Sequence, residues 1–210
     1  MLFQFFSAET NKFYQLLQTE TVPVLRISGV PMQRFIHVDP LRDAKLKIEA
    51  AKPKGIVLDV GTGLGYTAIE CAKLRKVKKV ITIEKDRNVL RMARLNYASN
   101  KLFSEKKIKI IVGDAKEKVK EFRENFFDCI INDPPTFKLA PELYSLDFYS
   151  ELYRVLKKGG RLWHYSPMPG KAKDVKKSER FAKKIMNNLK KVGFKKLKYN
   201  KESSGILAIK

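Results

Sequence analysis

Short apolar runs alternate with segments of helical periodicity from residue 55 to the end of the chain, and this alternation constrains the fold more than any other feature. The runs are rich in β-branched residues and have the length of strands, whereas apolar residues between them recur every three or four positions. Such alternation is typical of an α/β fold in which helices cover both faces of a parallel sheet. Gly159-Gly160 and Gly193 fall where helices are expected to end. The predicted strands are 56–60, 80–84, 108–112, 127–132, 161–165, 194–199 and 205–209.

The first 50 residues have a different pattern. Two apolar-rich stretches within 22–38 flank Ser28-Gly29, which indicates a β-hairpin. Asp39 and Pro40 then offer an N-cap and a first-turn proline for a helix that runs towards residue 51. We therefore predict an N-terminal extension, 1–50, that covers the substrate or cofactor of an α/β domain, 51–210.

The chain is strongly basic, with 44 Lys and Arg against 22 Asp and Glu and a formal net charge of +22. A surplus of this size favours a polyanionic partner, and nucleic acid is a better candidate than a membrane. The stretch 171–201 is especially rich in lysine, and Lys183, Lys184 and Lys190 fall largely outside the apolar stripe of the helix predicted there. Heat adaptation is the alternative, but it usually raises Glu together with Lys, and here the acids have not risen.

Several classes of protein are excluded by composition. Two cysteines, Cys71 and Cys129, are too few for a disulfide framework or a four-cysteine zinc site. Two histidines without ligand spacing give no indication of a metal site. No apolar run approaches the ~20 residues of a membrane span, and the first residues lack the basic region of a signal sequence. We therefore expect a cytoplasmic protein.

A glycine-rich loop follows the first strand of the α/β segment. Gly61, Gly63 and Gly65 allow the backbone to turn sharply and to approach a ligand closely. Their G-x-G-x-G spacing differs from the G-x-G-x-x-G spacing of dinucleotide-binding proteins. Asp59, two positions before the first glycine, is a poor neighbour for a pyrophosphate but a good one for an ammonium group.

Acidic residues stand at the ends of the first three predicted strands. Asp59 lies near the end of the first, and Glu84 closes the second, where it can accept from both hydroxyls of a ribose. Asp114 follows the third strand and can accept from an adenine amino group. Acids here stand where a phosphate-binding loop would present amides, so the pattern favours a nucleoside with an amino group over a phosphate.

In their order and spacing these residues resemble the class I S-adenosylmethionine-dependent methyltransferases, over residues 50–210. The resemblance implies a Rossmann-like fold, with a seven-stranded and mainly parallel sheet in the order 3-2-1-4-5-7-6 whose last strand is antiparallel. It implies S-adenosyl-L-methionine as the cofactor. The residues expected to bind it are Asp59, Gly61, Thr62, Gly63, Gly65, Glu84, Lys85, Asp114, Ala115 and Asn132.

A proline loop follows the fourth strand, where residues 132–137 read Asn-Asp-Pro-Pro-Thr-Phe. Two consecutive prolines make it stiff. If the Asp133 carboxylate and the Pro134 carbonyl each accept one hydrogen of an exocyclic amine, its lone pair can face a methyl group for in-line displacement. Phe137 is a candidate surface for stacking an extruded base. The loop resembles the (Asp/Asn/Ser)-Pro-Pro-(aromatic) signature of methyltransferases that act on planar amino nitrogens, except that Thr136 holds the aromatic position.

Residues 20–210 are also similar to a family of small archaeal predicted methyltransferases, some of them associated with ribosomal RNA. We therefore expect methyl transfer to an exocyclic base amine of RNA, such as cytosine N4 in ribosomal RNA. The catalytic residues would be Asp133, Pro134 and Phe137. Two alternatives stay open: methylation of an amide in a ribosomal protein, and an RNA-binding module that has lost its activity.

Overall fold

The computed structural model describes residues 3–167 and 172–210, with side chains from residue 178 onwards in the second range. In this part of the chain, one sheet of four strands and one of seven are present. The strands are β1 Gln4–Ser7, β2 Lys12–Leu17, β3 Val24–Ile27, β4 Val30–Pro31, β5 Gly55–Val60, β6 Val77–Glu84, β7 Ile108–Val112, β8 Phe127–Asn132, β9 Leu156–Tyr165, β10 Lys195–Asn200 and β11 Gly205–Ile209. The α-helices are α1 Pro40–Ala51, α2 Tyr66–Ala72, α3 Arg87–Leu95, α4 Asn100–Ser104, α5 Ala115–Lys118, α6 Leu146–Val155 and α7 Ala172–Val192.

The larger sheet has the order β10-β11-β9-β8-β5-β6-β7. The strands from β9 to β7 in this order are parallel, and β11 runs antiparallel to both β9 and β10. Counted along the chain from β5, the order reads 3-2-1-4-5-7-6. The predicted α/β class with a mostly parallel sheet is confirmed. Parallel strands joined in this way have their carboxyl ends at one edge, where ligands bind in such sheets.

Several boundaries differ in detail from the sequence prediction. β9 begins at Leu156, so Gly159 and Gly160 lie inside this strand and do not end a helix. The preceding helix, α6, ends at Val155. Gly159 has a φ of 72°, which glycine adopts without strain, and the pairing of β8 with β9 shifts register in this region.

The N-terminal segment differs most from the prediction. The hairpin around Ser28-Gly29 is present, but β4 has only two residues and 34–38 is not a strand. β1 and β2, absent from the prediction, complete an antiparallel sheet. The predicted helix is present as α1, and the Asp39 side chain accepts hydrogen bonds from two of its first amides. The domain division at residue 50 stays a prediction, and it would fall inside α1.

Apolar clusters cover both faces of the larger sheet. One contains Trp163 and Met92, and it includes Tyr14 and Leu25 of the N-terminal sheet. The other is built around Phe127 and the helices α6 and α7. The N-terminal sheet therefore packs on the same core as α1 to α4.

Helix α7 carries the lysine-rich stretch. Its Ile185 and Leu189 are buried, whereas Lys183, Lys184 and Lys190 are exposed, as the periodicity predicts. Residue 171 and the side chains of 172–177, which begin this stretch, lie outside the described residues. Among the helices of the described residues, none combines the length and apolar character needed to cross a membrane.

Gly205 lies where β11 passes the fully buried Trp163. A Cβ built on Gly205 would overlap Nε1 and Cε2 of the indole ring. We expect Gly205→Ala to lower the free energy of unfolding by about 1–3 kcal/mol, because the ring is enclosed by packed neighbours. Chemical denaturation would measure this. The control, Glu202→Ala in the exposed turn before β11, should change it by less than about 0.5 kcal/mol. Equal stability of the two variants would contradict the expectation.

Candidate active site

Four carboxylates lie along one edge of the larger sheet. Asp59 lies in β5, Glu84 ends β6, Asp133 directly follows β8, and Asp114 follows β7 after one glycine. β8, β5, β6 and β7 are adjacent in this order and parallel, so the carboxyl ends of the four strands meet. The structure thus places these four residues, singled out from the sequence, side by side.

Asp59 is the most deeply buried of the four, with 1% of its surface exposed. Its Oδ2 accepts a hydrogen bond from Oγ1 of Thr82 at 2.7 Å, and Thr82 shares a second bond with Thr62. Its Oδ1 is buried and has no hydrogen-bond partner among the described residues. Burial raises the pKa of Asp59 to about 7, although the bond from Thr82 opposes the shift. Asp59 can therefore change charge near neutral pH and has one oxygen left for a ligand.

Asn132 adds a second set of unpartnered atoms at the same edge. It is fully buried, and neither Oδ1 nor Nδ2 of its amide has a hydrogen-bond partner in the described part of the chain. In the sheet Asn132 pairs with Val60, the neighbour of Asp59. A buried polar group without a partner costs about 1–3 kcal/mol. These atoms are therefore available to a ligand or an ordered water.

The first amides of the glycine loop are used within the protein. The amides of Gly61 and Thr62 donate to the carbonyl of Ile83. The amide of Gly63 donates to Oε2 of Glu84. Gly61 has a φ of 89°, and a Cβ on it would stand 2.5 Å from the carbonyl oxygen of Asp133. The glycine is needed because two loops pack backbone to backbone, and the arrangement is unlike a phosphate-binding loop.

Glu84 holds the glycine loop and the turn after β6. Its Oε2 accepts from the Gly63 amide and its Oε1 from the Asp86 amide, both at 3.0 Å. Burial raises the pKa of Glu84, against these bonds. Tyr14 of the N-terminal sheet donates to Oδ2 of Asp86 at 2.6 Å. Each Glu84 oxygen keeps a further lone pair, so it can still accept from hydroxyls of a ligand.

Asp114 forms an ion pair and a helix cap. Its Oδ2 lies 2.7 Å from Nζ of Lys85, and its Oδ1 accepts from the Lys116 amide as the N-cap of α5, which begins at the buried Ala115. Partial burial would raise the pKa of Asp114, but Lys85 and the capping bond outweigh it and lower the pKa. Asp114 is therefore an ionised group, and each of its oxygens is already engaged once.

Asp133 is part of a chain of four charges, of which the central two are buried. Its Oδ2 lies 2.6 Å from Nζ of Lys47, and the same Nζ lies 2.9 Å from Oδ2 of Asp43, one turn earlier in α1. Oδ1 of Asp43 accepts from Arg34 at 2.7 Å. The Lys47 ammonium also lies 5.6 Å from the centre of the Trp163 ring. The chain joins the proline loop to α1 and to the segment before it.

The proline loop is fixed by aromatic side chains. Tyr144 donates to the carbonyl oxygen of Pro135 at 2.8 Å. Phe137 packs edge-on against Tyr144 and Phe181 with ring centres 5.7 Å apart in both pairs, and Lys184 lies 5.7 Å from its ring centre. Phe137 thus belongs to an aromatic cluster beside α7, with 42% of its surface exposed.

Lys47 and Asp43 are site residues that the sequence did not reveal. An Asp–Lys pair four positions apart is typical of an exposed helix surface. Here both side chains are buried, with 7% of Lys47 and 2% of Asp43 exposed. Nothing in the local pattern shows that Lys47 reaches Asp133 in a distant loop.

The cysteines and the buried histidine have structural positions. Cys71 and Cys129 are free and buried, and burial raises the pKa of Cys129 to about 12. His164 is buried with Nε2 2.8 Å from the Tyr149 hydroxyl, and burial lowers its pKa to about 4. Within residues 3–167 and 172–210, no group of three or more His, Cys, Asp and Glu could hold a metal ion.

Comparison with known proteins establishes the family. The model of the spermine/spermidine synthase domain matches residues 44–200, most of the α/β segment. The chain belongs to the spermine/spermidine synthase family. Protein MJ1233 of Methanocaldococcus jannaschii is 46% identical over 205 residues, which cover 95% of this chain and 68% of MJ1233.

One further relative of this synthase-family chain and one solved structure carry descriptive names. A polyamine aminopropyltransferase of Prochlorococcus marinus strain MIT 9312 is 35% identical over 127 residues, 58% of this chain and 44% of that enzyme. A crystal structure of spermidine synthase with the transition-state analogue AdoDATO superposes with a TM-score of 0.78 at 21% identity, covering 99% of this chain and 72% of the other. This likeness shows a shared fold. The chain spans less than half the length of the Prochlorococcus enzyme.

The family corrects the predicted activity. The match to the spermine/spermidine synthase domain supports an enzyme, but the expected assignment to RNA methyltransferases is wrong. Methylation of a base amine and the alternative of methylating a ribosomal-protein amide are both contradicted. The physical reason is that carboxylates at these strand ends suit any cationic nucleoside, so they do not determine which group is transferred.

The predicted cofactor and partner are corrected by the same finding. A family of polyamine aminopropyl transfer does not fit S-adenosylmethionine as a methyl donor. It also does not fit RNA or a ribosomal subunit as the partner. Net charge by itself does not distinguish a nucleic-acid surface from a solvated one. In the structure, Lys183, Lys184 and Lys190 are exposed lysines of a helix surface, which solvent alone can satisfy.

Proposed function

We propose that this chain transfers an aminopropyl group from decarboxylated S-adenosylmethionine to a primary amine of a small polyamine such as putrescine or spermidine. The family match and the likeness to a polyamine aminopropyltransferase support this reaction class. The structural observation that carries the proposal is the unpartnered Oδ1 of Asp59, which lies in a row of carboxylates at the carboxyl ends of β8, β5, β6 and β7.

The proposed reaction needs an electrophilic carbon, which the donor supplies next to its sulfonium, and one proton acceptor. The acceptor nitrogen forms a bond to that carbon. The carbon–sulfur bond breaks, and its electron pair stays on sulfur, which becomes a neutral thioether. The nitrogen gives up one proton to a base of the protein. Positioning of the two substrates and fixed negative charge therefore supply most of the catalysis.

We assign the donor to the edge formed by β5, β6 and β7. Among the described residues, neither Asp59 nor Glu84 has an ion-pair partner, so both can face a cation or a hydroxyl. The amine and the sulfonium of the donor are both cationic, which suits an edge lined with carboxylates. Glu84 would accept from the ribose, and Asp114 would lie towards the adenine. The other proposed donor-site residues are Gly61, Thr62, Gly63, Gly65, Lys85, Ala115 and Asn132.

We assign the acceptor amine to the proline loop. Asp133 is partly exposed, with 20% of its side chain accessible, and follows the strand next to Asp59. Its carboxylate would accept the proton that the attacking nitrogen loses. Pro134, which is buried, and Phe137, which packs against Tyr144, would hold the shape of this loop.

The test is incubation of the purified chain with decarboxylated S-adenosylmethionine and putrescine or spermidine, followed by mass spectrometry. We expect a polyamine longer by one aminopropyl group and an equal amount of the methylthio nucleoside. S-adenosylmethionine in place of the donor should give no transfer. Absence of the longer amine with every acceptor, from a folded protein that binds the donor, would contradict the proposal.

Donor affinity should depend on pH through Asp59. Because burial raises its pKa to about 7, Asp59 is neutral below that pH, and a cationic donor must first displace its proton. Affinity should therefore rise with pH up to about 7, by at most about tenfold per pH unit, and then level off. Calorimetric titration of the donor from about pH 5.5 to about pH 8.5 measures this. In Asp59→Asn the rise should disappear, and an unchanged rise would assign it to another group.

A further inference from the structure

The Lys47 ammonium is bound between two carboxylates at the point where the acceptor amine is expected. Its Nζ lies 2.6 Å from Oδ2 of Asp133 and 2.9 Å from Oδ2 of Asp43, and only 7% of the residue is exposed. Burial alone would lower the pKa of Lys47, but the two carboxylates outweigh it and raise the pKa above its ordinary value. Lys47 is therefore a permanent cation of the protein.

The ammonium leaves Asp133 with one oxygen for a substrate. Oδ2 is taken by Lys47, and no described residue forms a hydrogen bond with Oδ1. Burial raises the pKa of Asp133, and Lys47 opposes that shift. Without Lys47 the carboxyl would be protonated over a wider range of pH, and a protonated carboxyl cannot accept a proton from an amine.

Asp43 and Arg34 hold the ammonium in place. Asp43 lies one helical turn before Lys47, and its other oxygen accepts from Arg34 at 2.7 Å. Because two carboxylates and two cations alternate, the cluster has no net charge of its own. The charged or titratable groups that face Asp133 and Lys47 are Arg34, Asp43, Asp59, Tyr144 and Tyr165.

We propose that Lys47 is a positioning residue for the acceptor half of the reaction. Its ammonium keeps Asp133 ionised and aimed, so that Oδ1 alone binds the primary amine of the acceptor and takes its proton. The inference rests on the proposed aminopropyl transfer, because it gives Asp133 the role of base in that reaction. The inference thus gives a role in the reaction to α1, which lies outside the row of strand ends.

The test compares Lys47→Met with Lys47→Arg. In Lys47→Met we expect kcat to fall about 10- to 100-fold. The acid limb of the pH profile of kcat/KM should move about 1 to 3 pH units higher. Lys47→Arg should keep the wild-type limb, because it restores the positive charge. If Lys47→Met fails to fold, the double variant Asp43→Asn with Lys47→Met is used in its place, because it removes one charge of each sign.

A second measurement separates this inference from the proposed function. Carbon-13 NMR of the Asp133 carboxyl, assigned with Asp133→Asn, reports its titration without any reaction. A carboxyl that titrates at the same pH with and without Lys47, in an active enzyme, overturns the inference alone. A wild-type protein that transfers no aminopropyl group overturns the proposed function and the role of Lys47 with it. A shifted titration together with a shifted acid limb supports the inference.

Discussion

Replacing Asp133 with Asn is expected to reduce aminopropyl transfer by about 10²–10⁴-fold, the usual contribution of a general base. The amide has nearly the same shape, but it cannot take the proton that the attacking nitrogen must lose. Donor binding should change little, because the proposed donor site lies at the ends of β5, β6 and β7. Single-turnover rates with saturating donor and acceptor would measure the loss, and calorimetry would measure donor affinity.

The matched control for this variant is Glu121→Gln. Glu121 is a surface carboxylate paired with Lys118 at 2.7 Å, with 62% of its side chain exposed. Exposed pairs of this kind contribute at most about 1 kcal/mol to stability, so both folding and transfer should be unchanged. Wild-type turnover in Asp133→Asn would remove Asp133 from the proposed chemistry and require another proton acceptor.

Replacing Glu84 with Ala should weaken donor binding by about 10- to 100-fold. Hydrogen bonds to a charged group contribute about 1.5–3 kcal/mol, and the proposed bonds to the ribose hydroxyls would be lost. KM for the donor should therefore rise, whereas kcat at saturating donor should change little. Steady-state kinetics with varied donor concentration would measure KM and kcat separately.

A milder variant separates binding from folding at the same position. Glu84 also accepts from the amides of Gly63 and Asp86, so its removal affects the glycine loop as well. Glu84→Gln keeps one acceptor oxygen and should lose less affinity than Glu84→Ala. Glu117→Ala, at a surface site paired with Lys120, is the control for a lost carboxylate. Equal donor affinity in the wild type and Glu84→Ala would contradict the assignment of Glu84 to the donor.

The predicted methyl transfer was wrong for a reason that lies in the chemistry of the site. Acids at the ends of β5, β6 and β7 can bind the ammonium, ribose and adenine of a nucleoside sulfonium whether or not it carries a carboxylate. The group that is transferred depends on whether the donor carries that carboxylate and on the acceptor site. The proline loop was interpreted as a base-amine site because a carboxylate beside a reacting nitrogen suits either reaction.

The α/β class, the strands from β5 to β8 and the start of α1 at Asp39 followed from the sequence alone. They depend on local properties, namely strand-length apolar runs, helical spacing and N-cap chemistry, which short segments carry by themselves. The order of parallel strands then brings Asp59, Glu84 and Asp133 to one edge.

Only the tertiary structure decided the rest. β1 and β2 form because they pair with each other, because β2 pairs with β3, and because both pack on the core. β9 starts early because Gly159 accommodates a register shift. The contact of Lys47 with Asp133 joins residues that are distant in the chain. No local pattern specifies such a partner, because the energy of a buried ion pair depends on desolvation and on the geometry of the surrounding groups.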